Sequence, residues 1–322
     1  MIRSGSRLER VLHQGAFAVT AEVVPPRSGD GTTVTAQARA LVGYADAVNV
    51  TDNPTGAAHM SPVAGSALVA EAGLEPVLQL TTRDRNRLGL TGDLLGGWAL
   101  GARNVLCLTG DPPAGGGRDD PEARAVFDVS VLELIRLAAR MRDAGTLLSG
   151  APVDPAPRYF IGAADLPLAT PYDPARLEQK ADAGADFVQT QIVLDVDAFG
   201  EWADSLRPRG IFERMFVLAG VAPPRSAKTA RFMREHLPGV VVPDRLIEEL
   251  EAAGAQAEEV GVRLTVDIIA KLRAIPGVAG VHVMGLGQED PVRKVIEGAG
   301  LYPRPALLPQ QAARLSGSGQ AN

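Results

Sequence analysis

Apolar runs of strand length alternate with amphipathic stretches along almost the whole chain. The runs predict strands at Phe17–Val23, Ala45–Val50, Pro76–Leu80, Asn104–Leu108, Tyr159–Ala163, Phe187–Val193, Met215–Ala219 and Val278–Met284. Between them, helical spacing predicts Thr35–Tyr44, Val63–Ala72, Leu88–Leu100, Val129–Ala144, Asp173–Ala183, Asp197–Leu206, Ala227–Glu235 and Glu258–Ala274, with a closing helix near Pro291–Gly298. Ser61, Asp128, Asp173 and Ser226 stand where N-caps belong, and Gly73, Gly101, Gly145 and Gly184 where helices stop. Eight strand–helix units in 322 residues fit a (β/α)₈ barrel. A doubly wound dinucleotide fold needs a glycine-rich turn after the first strand, and Glu22-Val-Val-Pro-Pro-Arg27 stands there instead.

The pattern makes residues 1–306 a single barrel and 307–322, which end in Ser-Gly-Ser-Gly-Gln-Ala-Asn, a disordered tail. Ala114–Ala125, rich in glycine and charge, reads as a mobile cover over the site, and proline-rich Ser149–Arg158 as a surface linker. Aromatic residues are only 4% of the chain, so the core has to be built from Ala, Val and Leu. A net charge of -6 carries no basic excess and argues against nucleic acid as the main partner. No apolar run is long enough for a membrane span, and no signal-peptide core follows Met1–Arg7, so a cytoplasmic protein is expected. Cys107 is the single cysteine, which excludes an internal disulfide and a cysteine metal site; His13, His59, His236 and His282 have no ligand spacing, so no metal is expected.

Chemistry in such a barrel gathers where the strands end. Strand alternation aims Glu22 along the face shared with Ala18 and Thr20, toward the barrel axis. An apolar shell there would raise its pKa and keep a proton ready to donate; the alternative is an ion pair with Arg27. Asp111 follows the fourth strand in Thr109-Gly-Asp-Pro-Pro113, with Gly110 permitting close backbone approach; the alternative is an ordinary turn. Gln191, in the polar break Gln189-Thr-Gln191, suits either the edge of a heterocycle or an internal hydrogen bond. Gln79 and Thr51 close strands in the same way, and Lys180 would clamp a phosphate if one lay nearby. No P-loop or nucleophile elbow is present. At this level the reaction stays open.

Taken in order, Ala21-Glu-Val-Val-Pro-Pro-Arg27, Asn49-Val-Thr-Asp52, Leu80-Thr-Thr-Arg-Asp84, Asn104–Pro113, Phe160-Ile-Gly162, Lys180–Ala185 and Gln189–Asp195 resemble the methylenetetrahydrofolate reductases, over residues from about 16 to 305. The resemblance implies a flavin-dependent barrel that reduces 5,10-methylenetetrahydrofolate to 5-methyltetrahydrofolate with NADH or NADPH. It implies that Glu22 is the acid that opens the folate's imidazolidine ring, that Asp111 lies beside pterin and flavin, and that Gln191 holds the pterin. It assigns FAD contacts to Thr51, Gln79, Thr109, Gly110, Asp111, Phe127, Gly162, Ala163, Asp173, Arg176 and Lys180, the last at the pyrophosphate. The chain departs from the better-known bacterial branch at Val23-Val24, Gln79, Thr109 and Leu166-Pro167, where that branch has an aromatic pair, a histidine, an arginine and His-Pro. It looks closer to the branch often fused to a homocysteine methyltransferase, without that domain. Two alternatives stand beside the reductase: a folate-binding barrel without flavin, and a subunit that takes electrons from a partner. A homo-oligomer is compatible with each.

Overall fold

The structure, a computed structural model, describes residues 2–111 and 120–307. The glycine-rich loop expected as a cover lies partly outside these residues, and the expected tail lies outside them from residue 308 onward. The strands are β1 (Ala18–Val23), β2 (Ala47–Val50), β3 (Pro76–Thr81), β4 (Asn104–Leu108), β5 (Phe160–Asp165), β6 (Phe187–Ile192), β7 (Phe216–Val221) and β8 (Val278–Val283). They pair in parallel, each with the next and β8 with β1, in a closed barrel, so the expected (β/α)₈ architecture is the observed one. The helices are α1 (Arg7–His13), α2 (Thr32–Leu41), α3 (Pro62–Glu71), α4 (Arg87–Ala99), α5 (Val131–Ala144), α6 (Ala175–Asp182), α7 (Val196–Leu206), α8 (Ala227–His236), α9 (Asp244–Ala253), α10 (Ala257–Arg273) and α11 (Glu289–Gly298). No helix among the described residues is long and apolar enough to cross a membrane.

Alternation along each strand sorts the core into two layers. Val19, Ala21, Val48, Leu78, Val105, Ile161, Val188 and Val217 point outward and pack under the helices. Ala18, Ala47, Val77, Leu106, Phe160, Phe187 and Leu218 fill the axis. The ring of Phe187 lies where a side chain on Gly162 would be: a Cβ there meets ring atoms at 2.3–2.8 Å. Gly162→Ala therefore overpacks the axis and is expected to cost about 1–3 kcal/mol in a chemical-denaturation midpoint. A midpoint equal to the parent's would mean that Phe187 has another rotamer available.

Above this apolar floor the axis turns polar. Asn49 Nδ2 donates to Gln189 Oε1 (2.7 Å), Gln189 Nε2 donates to Thr20 Oγ1 (3.0 Å), and Thr20 Oγ1 lies 3.0 Å from His282 Nδ1. Thr20 Oγ1 and His282 Nδ1 share one hydrogen bond, and the tautomer of the ring decides which of the two donates. Burial alone pushes the His282 pKa down to about 4, in accord with a neutral ring.

Two helices and two caps differ from expectation. α1, a short helix of 7 residues that the periodicity did not mark, closes the lower end of the barrel, where Leu8, Val11 and Leu12 join the axial core. Half-buried Glu75 accepts from its first amides, Arg7 N (2.5 Å) and Leu8 N (3.0 Å). α9 is an extra helix between α8 and α10. Ser130, not Asp128, caps α5, because Ser130 and Glu133 form a reciprocal capping box. Asp128 reaches instead to α4, where it accepts from Arg87 N at 2.9 Å. Asp173 is not the N-cap of α6 either; the helix enters through Pro174, and Asp173 accepts from Ala175 N at 3.0 Å.

Candidate active site

Strand parity places the inward side chains nearest the C-terminal ends of the strands around one opening. Glu22, Thr51, Gln79, Thr109, Gly110, Asp111, Asp173, Arg176, Lys180 and Gln191 all line a cavity of about 530 Å³ there. A second cavity of about 510 Å³ adjoins it, with an apolar wall of Val24, Ala57, Ile192, Leu237, Met284 and Leu286. Glu22, Thr51, Pro54, Thr55 and Gln191 belong to both, so the carboxyl stands on the partition between a polar, charged chamber and a more apolar one, which Arg27 and His59 also line.

Burial pushes the Glu22 carboxyl up to about 7, against the smaller downward pull of the Leu286 backbone N–H. A carboxylic acid with that pKa carries its proton through much of the neutral range and can give it to a ligand. Gln191 has two protein contacts: Nε2 donates to Pro238 O (3.3 Å) and Oε1 accepts from Ile192 N (2.9 Å). One N–H and one lone pair remain for a ligand. The pairing of β6 with β7 shifts register between Gln189 and Ile192, beside this residue. The polar break thus divides its labour, Gln189 serving the internal layer and Gln191 the cavity.

Asp111 is exposed at the rim, and its backbone carbonyl faces Arg83 Nη1 at 3.4 Å. Gly110, at φ +82°, cannot be replaced freely, since a Cβ would meet Arg83 Cβ at 3.0 Å and Thr81 Cβ at 3.1 Å. Arg83 was not singled out from the sequence, yet it ties three loops together. It grips Asp84 through Nε (2.7 Å) and Nη2 (2.8 Å) and donates to Asn53 O (2.9 Å) and Asp111 O. Asp52, also missed, accepts from Thr81 N (2.7 Å) and Thr81 Oγ1 (3.0 Å) and pairs with Arg85. Burial raises its pKa more than these partners lower it. Both residues lie inside polar strand-end motifs, which was the one available signal.

Lys180 reaches the far end of the charged chamber. Its Nζ donates to Ala164 O (2.6 Å) and lies 3.5 Å from Asp165 Oδ1, while Tyr172 Oη donates to Asp165 Oδ2 (2.9 Å). Asp165 and Tyr172 were not expected, because β5 runs two residues past its predicted end and carries Ala164 and Asp165 to the mouth. Three expected contacts are not among the residues lining the cavity. Ala163 faces outward into the helix-packed layer, the cross-section at Gly162 is occupied by Phe187, and exposed Phe127 has its N–H on Thr82 O at 3.2 Å.

The family profile described as methylenetetrahydrofolate reductase matches residues 7–300. The chain belongs to the methylenetetrahydrofolate reductase family. Among curated methylenetetrahydrofolate reductases, a probable NADPH form from Caenorhabditis elegans is 23% identical, aligned over 92% of this chain and 44% of its own. The chain thus spans less than half the length of that relative. The 5,10-methylenetetrahydrofolate reductase of Salmonella typhimurium is 26% identical over 72% of each chain. Among solved structures, an uncharacterized protein from Clostridium thermocellum, described as binding two copies of 5-methyl-5,6,7,8-tetrahydrofolic acid, shares the fold. Its TM-score is 0.61 at 13% identity, covering 91% of this chain and 98% of the other. A barrel of the methylenetetrahydrofolate reductase family is thus the frame in which Glu22 and its two chambers sit.

Proposed function

We propose that the chain reduces 5,10-methylenetetrahydrofolate to 5-methyltetrahydrofolate at this mouth, with NADH or NADPH as the electron source and FAD as the cofactor. The observation that carries the reading is Glu22, its pKa raised by burial and its carboxyl standing where the two chambers meet. The Clostridium thermocellum protein, with its bound methylated folate, supports a folate at a barrel of this kind.

The donor set of the charged chamber fits a flavin. Thr51 Oγ1 and Asp52 Oδ1 are buried at its wall without a hydrogen-bond partner, Gly110 allows close approach, and Arg176 and Lys180 supply cations at the far end. Thr51, Gln79, Thr109, Gly110, Asp173, Arg176 and Lys180 would hold the cofactor, with Phe127, Gly162 and Ala163 contributing only through backbone or a rearranged loop. When bound, a flavin supplies hydride transfer between the nicotinamide and the folate. Glu22 gives its proton to N10 of the folate, the N10–methylene bond breaks, and a cationic N5 iminium is left to accept hydride. Asp111 contributes negative charge beside that cation, and Gln191 offers its remaining donor and acceptor to the pterin edge. Glu22 then recovers a proton from solvent, which balances the reaction.

The protein supplied with FAD is expected to show the visible band of bound oxidised flavin, to lose it under NADH without oxygen, and to regain it with methylenetetrahydrofolate. Lys180→Ala is expected to weaken FAD roughly tenfold, about 1.4 kcal/mol, with partial rescue by arginine and further weakening in salt. Flavin retention equal to the parent's would remove Lys180 from the site. A second reading, a folate-binding barrel that lacks flavin or takes electrons from a partner, is favoured by one observation: Lys180 is already engaged by two protein oxygens. Folate reduction by NADH in a colourless protein that takes up no added FAD would select it.

A further inference from the structure

The cation available for a phosphate at the far end of the charged chamber comes with its own counter-ion. The Lys180 side chain is 16% exposed and Asp165 6%, and both line the cavity together with Ala164 and Tyr172. Nζ lies 2.6 Å from Ala164 O and 3.5 Å from Asp165 Oδ1, and the opposite carboxylate oxygen is held by Tyr172 Oη at 2.9 Å. The carboxylate is therefore held from two sides, by Lys180 and by Tyr172. Where both charged side chains are largely shielded from solvent, a phosphate brought to Lys180 feels the repulsion of the aspartate as well as the attraction of the ammonium. Arg176 compensates little, because its side chain is 79% exposed and its charge is screened by solvent.

We propose that Asp165 sets the selectivity of this end of the site: its carboxylate competes with a ligand phosphate for Lys180, so that phosphate-bearing cofactors are held loosely and exchange. The inference rests on the reading of Lys180 as the phosphate partner. It assigns Asp165 a role opposite to that of a ligand contact, because removing its charge strengthens binding. A flavin without phosphate is indifferent to it.

The experiment compares the parent with Asp165→Asn, which keeps the shape and an acceptor for Tyr172, by equilibrium binding of FAD, ADP and riboflavin to the purified full chain. FAD and ADP are expected to bind at least roughly tenfold tighter to the variant, with a steeper salt dependence, and riboflavin equally to both. Asp165→Ala serves if the amide variant does not fold, since the charge is lost either way. The gain is expected to vanish in Lys180→Ala combined with Asp165→Asn. Unchanged or weaker FAD and ADP binding overturns the proposal, as does equal tightening of riboflavin or a gain that survives without Lys180. Tighter ADP with no flavin uptake by either protein would remove the flavin cofactor and leave the role of Asp165 standing. FAD held equally by both would do the reverse.

Discussion

Glu22→Gln is expected to lose folate reduction by at least ~10²-fold while NADH oxidation by an artificial electron acceptor survives. The substitution keeps the shape of the side chain and removes the one proton that the partition between the chambers can deliver. The pH profile provides an independent check. With the acid form active and its pKa near 7, the parent's folate step falls about tenfold per unit above that value, and the variant loses this limb. Stability also falls with rising pH, over a lower window. The folded parent holds the proton up to about pH 7, whereas an unfolded chain releases it near the ordinary value of 4.5. The parent therefore loses stability as pH rises through that window, and glutamine does not. A variant equally impaired in both half-reactions and melting lower at pH 8 would make Glu22 a structural residue.

Asp111→Asn tests charge rather than proton transfer. A carboxylate at the rim opposes the negative charge of a reduced flavin and favours the cationic iminium. Its removal is expected to raise the midpoint potential of the bound flavin, spare NADH oxidation and cut folate reduction roughly 10²-fold. If Asp111 merely shapes the turn after β4, the variant melts lower and keeps both the potential and the ratio of half-reactions. An unshifted potential with normal folate turnover sinks the assignment.

The barrel was legible because its strands are short apolar runs between amphipathic helices, a pattern that a parallel sheet under helices imposes on sequence. Glu22 was legible by parity alone: two residues beyond Thr20 on β1, it had to share the inward face. Parity could not separate Gln189 from Gln191, which face the same way at different heights. Only the neighbours Asn49 and Thr20, far away in sequence, decide which amide is internal. Asp165 stayed hidden for a different reason: the polar residue looked like a strand end, while pairing with β6 extends β5 through it. Arg83 looked like one charge in a polar run, and its two cross-loop contacts, to Asn53 O and Asp111 O, exist only after β2, β3 and β4 are side by side. Short α1 carries too few residues for a period, and its stability comes from Glu75 and the barrel floor it covers.

The continuity of the hydrogen bonds in the mid-barrel layer has an evolutionary corollary. Thr20 is bonded to both His282 and Gln189, and Gln189 to Asn49. Replacing His282 by an aliphatic residue takes a partner from the Thr20 hydroxyl, and replacing Gln189 by leucine takes one from the Asn49 amide. Each single step leaves a buried polar group short of a partner, whereas exchanging all four for aliphatic residues leaves none. These positions should drift between lineages as a linked set, held by mutual epistasis, while the surface around them varies one residue at a time.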